Sequence, residues 1–159
     1  MATRPKVFIG CSTHGLSVAE ALQLLLDQFA DCQIWNQGVM DLSTTIFDNL
    51  MNSLANFEFA IFALTADDKV EQRAKHGLTP RDNVIFELGL FIGHLGPRRT
   101  FMVRPRGVEL VLPTDLLGVE AADYDPNAAD LVPALGSAAT RLKRAIIKVQ
   151  PASLPGTDS

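Results

Sequence analysis

Near the middle of the chain, Phe59 to Leu64 (FAIFAL) forms an unbroken apolar run. A strand with one wet face alternates apolar and polar residues, so such a run marks a central parallel strand covered on both faces. The flanking sequence supplies the cover. Lys6 to Gly10 (KVFIG) is a short apolar run passing into the polar stretch Cys11 to Gly15, which reads as a strand entering a loop. Ser17 and Glu20 make an S-x-x-E capping box, followed by Val18, Ala21, Leu22, Leu25 and Phe29 at helical spacing. Cys32 to Trp35 is a second strand, and a loop from Asn36 to Asp41 leads to the helical stripe Ile46, Phe47, Leu50 and Leu54. Asp67 to Lys75 reads as a charged loop. Thr79 and Pro80 then supply the N-cap and first-turn proline of a helix through Val84 to about His94, ended by Gly96 and Pro97. Thr100 to Val103 and Val119 to Tyr124 are the fourth and fifth strands, with a short turn near Thr114 to Leu117 between them. A last helix carries Leu131, Leu135, Leu142, Ile146 and Val149, with Lys143, Arg144 and Lys148 near its negative end.

Five strands alternating with helices predict an α/β protein with one doubly wound, five-stranded parallel sheet of flavodoxin-like order. The length of 159 residues suits one domain, residues 1–149, with 150–159 as a linker or disordered tail. Ligands of such sheets bind beyond the carboxyl ends of the strands near the switch point, which selects the loops after Gly10, Trp35 and Leu64. A net charge of -4 argues against nucleic acid and anionic membrane as partners. The apolar stretch Val84 to Leu95 is interrupted by Glu87 and is shorter than the ~20 residues that span a bilayer. Cys11 and Cys32 form no metal spacing and no disulfide framework, and His14 and His94 stand alone, so no metal is expected. With no signal-peptide pattern at the start, the expected location is cytoplasmic.

One residue does not belong. The segment Val84 to Ile92 (VIFELGLFI) is apolar on every side except at Glu87, which predicts a buried helix with an ionisable group in its middle. A buried carboxylate without compensation costs several kcal/mol, so it must pair, shift its pKa or face a cleft. Residue pattern alone leaves open an ion pair with Arg81, Arg98 or Arg99, or a functional cleft. Asn83 and Phe91, four residues before and after, share the helix face of Glu87 and would present an amide, a carboxylate and a ring together.

The segments KVFIG (Lys6 to Gly10), IWNQGV (Ile34 to Val39), FAIFALTADD (Phe59 to Asp68), RDNVIFELGLFIGHL (Arg81 to Leu95) and LPTDLLG (Leu112 to Gly118) closely resemble the TIR-like effector domains of the bacterial antiphage systems CBASS and Pycsar. The likeness extends from Pro5 to about Asp125, and RDNVIFELG is its most specific block. The resemblance implies NAD+ glycohydrolase activity, in which nicotinamide is cleaved from ribose and the family's catalytic glutamate falls on Glu87. NAD+ is then the substrate, and no cofactor is expected. It also implies activation when protomers self-associate, and a sensor domain for cyclic nucleotides in the same or a partner chain.

The chemistry agrees with a single acid. Glycosidases use two carboxylates because their leaving group must be protonated, whereas nicotinamide departs from a cation already primed to leave. An ionised Glu87 suffices to stabilise the oxocarbenium-like transition state and hold a ribose hydroxyl. Around it, Trp35 is a candidate to stack on a base ring or simply to pack in the core. Ser12 and Thr13 are candidates to donate to a phosphate or ribose, or to cap a turn. Arg81 is assigned to the pyrophosphate or to solvent, and Asp82 and Asn83 to the ribose or to the helix cap. Two rivals stand beside this reading: a TIR-type self-association module without catalysis, and a nucleoside deoxyribosyltransferase-like enzyme. A receiver domain fails because Gly10-Cys11-Ser12 replaces the paired acids it needs after strand one, and a mononucleotide binder leaves Glu87 unexplained.

Overall fold

The structure is a computed structural model that describes residues 3–36, 46–72, 75–80, 82–113, 116 and 118–149. In chain order these form β1 (Lys6–Cys11), α1 (Leu16–Leu26), β2 (Asp31–Asn36), α2 (Ile46–Ser53), β3 (Phe59–Ala63), β4 (Asp68–Gln72), β5 (Lys75–Thr79), α3 (Asp82–Leu95), β6 (Thr100–Pro105), β7 (Ala121–Tyr124), α4 (Leu131–Ala134) and α5 (Gly136–Val149). Five strands make one parallel sheet in the order β2-β1-β3-β6-β7, the doubly wound arrangement expected from the sequence. The apolar run Phe59–Ala63 is its central strand and is buried throughout.

Alternation along the strands divides the interior into two layers. Val7, Ile9 and Cys11 of β1 and Phe59, Ile61 and Ala63 of β3 face one side, where α1 and α5 cover them through Leu22, Leu26, Leu142 and Ile146. Phe8, Ala60 and Phe62 face the other, where Leu50 of α2 and Val84, Leu88 and Phe91 of α3 close over them. The second layer is centred on aromatic rings. Phe8 lies 4.2 Å from Phe91, 5.3 Å from Phe57, 5.7 Å from Phe62 and 6.0 Å from Trp35, measured between centroids. Gly10 makes this possible, because a Cβ there would stand 2.5 Å from Cε1 of Phe62.

Several local expectations are corrected. The charged segment after Asp67 is an antiparallel hairpin, β4–β5, in place of a loop. Backbone pairing overrides its polar composition, and Leu78 is further tied by a bridge to Leu110 and by the Val111 amide donating to its carbonyl at 2.7 Å. Thr79 therefore ends a strand and donates its hydroxyl to the Val111 carbonyl at 3.0 Å, while Pro80 lies before the helix; neither opens α3, which starts at Asp82. Helix α1 begins at Leu16 with Gly15 as its N-cap and no side-chain cap, so Ser17 lies inside the helix and the capping box does not form. The last helix is broken at Leu135 into α4 and α5, and Asp130 caps the first piece by accepting from the Val132 amide at 3.1 Å. Helix α3 is not enclosed on every side: Phe86 is exposed, as are Gly89 and Gly93.

Candidate active site

The sheet reverses its winding direction between β1 and β3, since β2 lies beyond one and β6 beyond the other. The chain segments leaving these strands meet at their carboxyl ends. Ser12 Oγ and Thr65 Oγ1 lie 3.2 Å apart, and the Thr65 hydroxyl donates to Asp67 Oδ1 at 2.7 Å. Asp67 is held in turn by its own amide, which donates to the carbonyls of Thr65 and Thr79 at 3.1 Å. Ser12 is buried at 5% exposure, and its side chain makes no cap bond to the 3₁₀ turn Thr13–Gly15 that follows. The turn-capping alternative for Ser12 is therefore not what its hydroxyl does. Thr13 opens that turn and is exposed. Gly15 packs beneath the site, where a Cβ would lie 3.3 Å from the Ala63 carbonyl oxygen and from Cβ of Cys11.

Glu87 reaches the same edge from α3. Its residue is 1% exposed, and its charge acts on Cys11 at the end of β1. The Cys11 thiol is pushed up to about 11, first by burial and then by the negative charges of Glu87, Asp67 and Glu20. Burial and the charge of Asp67 likewise push the Tyr124 hydroxyl up, and that hydroxyl donates to the Leu64 carbonyl at 3.5 Å. Acidic side chains thus converge around the ends of β1 and β3. Among the described residues the buried polar side chains are Ser12, Glu87 and Thr100, and Thr100 belongs to the opposite edge, donating to the Gly96 carbonyl at 3.1 Å. Ser12 and Glu87 are the two at the carboxyl edge.

Trp35, one residue before the end of β2 and in register with Gly10, packs its ring toward Phe8. Its Nε1 is buried and finds no hydrogen-bond partner among the described residues. Phe91 is fully buried between Phe8 and Phe62 and belongs to the core, so the face shared by Asn83, Glu87 and Phe91 does not form one pocket wall; Asn83 is exposed. Arg99 lies over the Phe59 ring at 5.1 Å and donates to the Glu58 carbonyl at 3.4 Å. Arg98 lines a cavity of about 580 Å³ with Pro97, Glu120 and Lys148. Both arginines stand at the amino edge of the sheet, away from Cys11 and Glu87, which removes them as ion-pair partners for the glutamate. Arg81 lies outside the described residues, as does the side chain of Asp82. The cavities lined by Lys6 and Asp31, by Arg104 and Glu109, and by Arg98 and Glu120 do not include Glu87. The carboxylate is interior in this conformation.

Two members of the edge, Thr65 and Asp67, are absent from the residues selected by sequence. Their signal was available, because both follow the central strand at the predicted switch point. Among the described residues no group of three His, Cys, Asp or Glu is placed to hold a metal ion, and no helix is long and apolar enough to cross a membrane.

Residues 6–126 match the family profile described as CAP12/Pycsar effector protein, TIR domain. The Pycsar effector protein PaPycTIR of Pseudomonas aeruginosa is 41% identical over 149 residues, covering 91% of this chain and 48% of the relative. CD-NTase-associated protein 12 of Flavobacterium daejeonense is 38% identical over 122 residues, 77% of this chain and 39% of the relative. The Pycsar effector protein BcPycTIR of Burkholderia cepacia is 36% identical over 147 residues, 91% of this chain and 48% of the relative. The chain spans less than half the length of these relatives. It belongs to the TIR-domain family of CAP12 and Pycsar effectors.

Proposed function

We propose that the chain is an NAD+ glycohydrolase domain of an antiphage effector, with Glu87 as the catalytic carboxylate. The observation that carries this reading is the position of Glu87: a carboxylate in the interior, its charge felt at the end of β1, beside the switch point where doubly wound sheets take their ligands. Evolutionarily neutral packing would favour an apolar residue there, since a buried charge is costly even when it is compensated. An ionised carboxylate at that position stabilises the positive charge that develops on ribose as neutral nicotinamide leaves. The C–N bond electrons depart with nicotinamide, and water adds to the ribose carbon and loses a proton. NAD+ is the substrate, and the reaction needs no metal or resident cofactor.

In the conformation described, Glu87 and Ser12 are both covered. The reading therefore includes an opening of this edge when protomers self-associate, driven in the whole effector by a cyclic-nucleotide sensor domain. The experiment is nicotinamide release from NAD+ by the chain, dilute and artificially clustered, with Glu87→Gln alongside. Release is expected on clustering, and Glu87→Gln should reduce it on the order of a hundredfold or more. Equal release by the two proteins would remove Glu87 from the chemistry.

The burial of Glu87 also favours a second reading, a TIR module that assembles without catalysis and keeps the glutamate for its fold. Clustering with no nicotinamide release, together with a lower melting temperature for Glu87→Gln, would select it.

A further inference from the structure

The hydrogen bonds at the switch point fix which way the Ser12 hydroxyl faces. A carboxylate oxygen only accepts, so the 2.7 Å contact between Thr65 and Asp67 takes the single proton of the Thr65 hydroxyl. Thr65 therefore has no proton left for Ser12, and in the 3.2 Å contact between them Ser12 donates and Thr65 accepts. The Ser12 proton is committed inward. What its oxygen retains toward a ligand is lone pairs. The main chain of Asp67 is anchored beside this chain of hydroxyls, its amide donating to the carbonyls of Thr65 and Thr79 at 3.1 Å, one of them in the last residue of β5. Gly15 lies underneath, with Thr65 Cγ2 at an ordinary contact distance of 3.6 Å from where its Cβ would be.

We infer that the Asp67–Thr65–Ser12 chain makes Ser12 a hydrogen-bond acceptor, and thus a specificity-determining residue for a donor group of the ligand: a ribose hydroxyl or a carboxamide N–H. This differs from the expectation that the Ser12 hydroxyl donates to a phosphate or ribose. The surroundings agree, since the charges felt at Cys11 and Tyr124 at this edge are those of carboxylates, which repel phosphate oxygens. Thr65 and Asp67 are positioning residues here; they act through Ser12.

The inference rests on the NAD+-cleaving reading, and its test separates the two. Nicotinoyl release by the clustered chain is measured with NAD+, with an NAD+ analogue whose ribose hydroxyls are replaced by fluorine, and with the analogue carrying a carboxylate in place of the carboxamide. The two analogues distinguish the hydroxyl from the amide as the group Ser12 accepts from. Thr65→Val frees the Ser12 proton, and Asp67→Asn allows an amide N–H to donate to Thr65 and reverse the chain. In both variants the preference for NAD+ over the relevant analogue should fall about three- to tenfold, the range set by one net hydrogen bond, and mainly in KM. Thr65→Ser keeps the hydroxyl and should keep the wild-type preference, a rescue that a purely structural role of Thr65 would not produce. Cleavage of NAD+ with unchanged preference in Thr65→Val and Asp67→Asn overturns the acceptor role alone. Failure of the clustered wild type to cleave NAD+ overturns the underlying reading and the inference with it.

Discussion

Gly10→Ala probes the ring cluster that holds α3 against the sheet. The new Cβ would stand 2.5 Å from Cε1 and 2.7 Å from Cδ1 of Phe62, and 3.0 Å from Cε1 of Phe8. Carbon atoms rest at about 3.5–4.0 Å, so the overlap is on the order of 1 Å. Neither ring has room to yield. Phe62 and Phe8 are buried, and Phe8 is backed by Phe91 at 4.2 Å and Phe57 at 5.3 Å. Overpacking of this kind costs about 1–3 kcal/mol, and the tightness here places Gly10→Ala at the upper end. The lower chain entropy of alanine in the unfolded state returns about 0.4–1 kcal/mol. A net loss of about 2–3 kcal/mol follows, which for a chain of this size lowers Tm by roughly 4–12 °C. Thermal unfolding followed by circular dichroism measures it. Phe62→Leu lacks the Cε1 atom, so combining the two substitutions should recover at least about 1 kcal/mol relative to additivity. A Gly10→Ala protein that melts within about 1 °C of wild type, or a strictly additive double variant, would refute the packing argument.

Other outcomes follow from the same structure. Glu87→Gln should abolish most nicotinamide release while leaving the fold intact by circular dichroism, separating its chemical from its structural role. Cys11, raised from 9.0 to about 11 by burial and then Glu87, should resist alkylation at pH 8, and mass spectrometry after iodoacetamide treatment checks it. Because the fold favours the neutral thiol, its contribution is full below pH 9 and is lost as the pH rises toward 11, by roughly 3 kcal/mol for two pKa units. Denaturant unfolding at pH 8 and pH 10.5 should show that decline, reduced in Cys11→Ala. Asp130→Ala removes the side-chain cap of α4 and should cost about 1 kcal/mol in the same assay.

The order of the main sheet was legible because the controlling signals are local and strong. A six-residue apolar run between polar segments has the length of a covered strand, and its neighbours carried helical stripes with turn residues between them. The β4–β5 hairpin was not legible: its residues, DKVEQ and KHGLT, have little apolar alternation, and what holds them is backbone pairing and the tie to Leu110 and Val111, far along the chain. The false capping box at Ser17 failed for a related reason. The 3₁₀ turn Thr13–Gly15 leads directly into α1, so the helix starts one residue before the serine that would have capped it. At the candidate edge, the anomaly of a glutamate in an apolar helix singled out Glu87, and topology singled out Ser12, both of which the structure buries. The link through Thr65 and Asp67 arises only when β1 and β3 lie side by side.

The register of α3 decides how a ligand can reach Glu87. Val84, Leu88 and Phe91 form its inward seam, and Glu87, three residues after Val84 and four before Phe91, lies on the same seam. Asn83 and Phe86 lie outward, with Phe86 53% exposed. Turning the helix by one residue, about 100°, would bring the carboxylate toward solvent, but it would also withdraw Leu88 and Phe91 from Phe8 and Phe62. Burying a side chain of that size contributes roughly 1.5–3 kcal/mol, so rotation forfeits several kcal/mol of core packing to expose a single group. Entry past Thr13, which is already exposed, disturbs far less and need not separate Ser12 from Thr65. On the proposed reading, a ligand that reaches Glu87 therefore enters from the carboxyl edge near Ser12 while α3 stays in place.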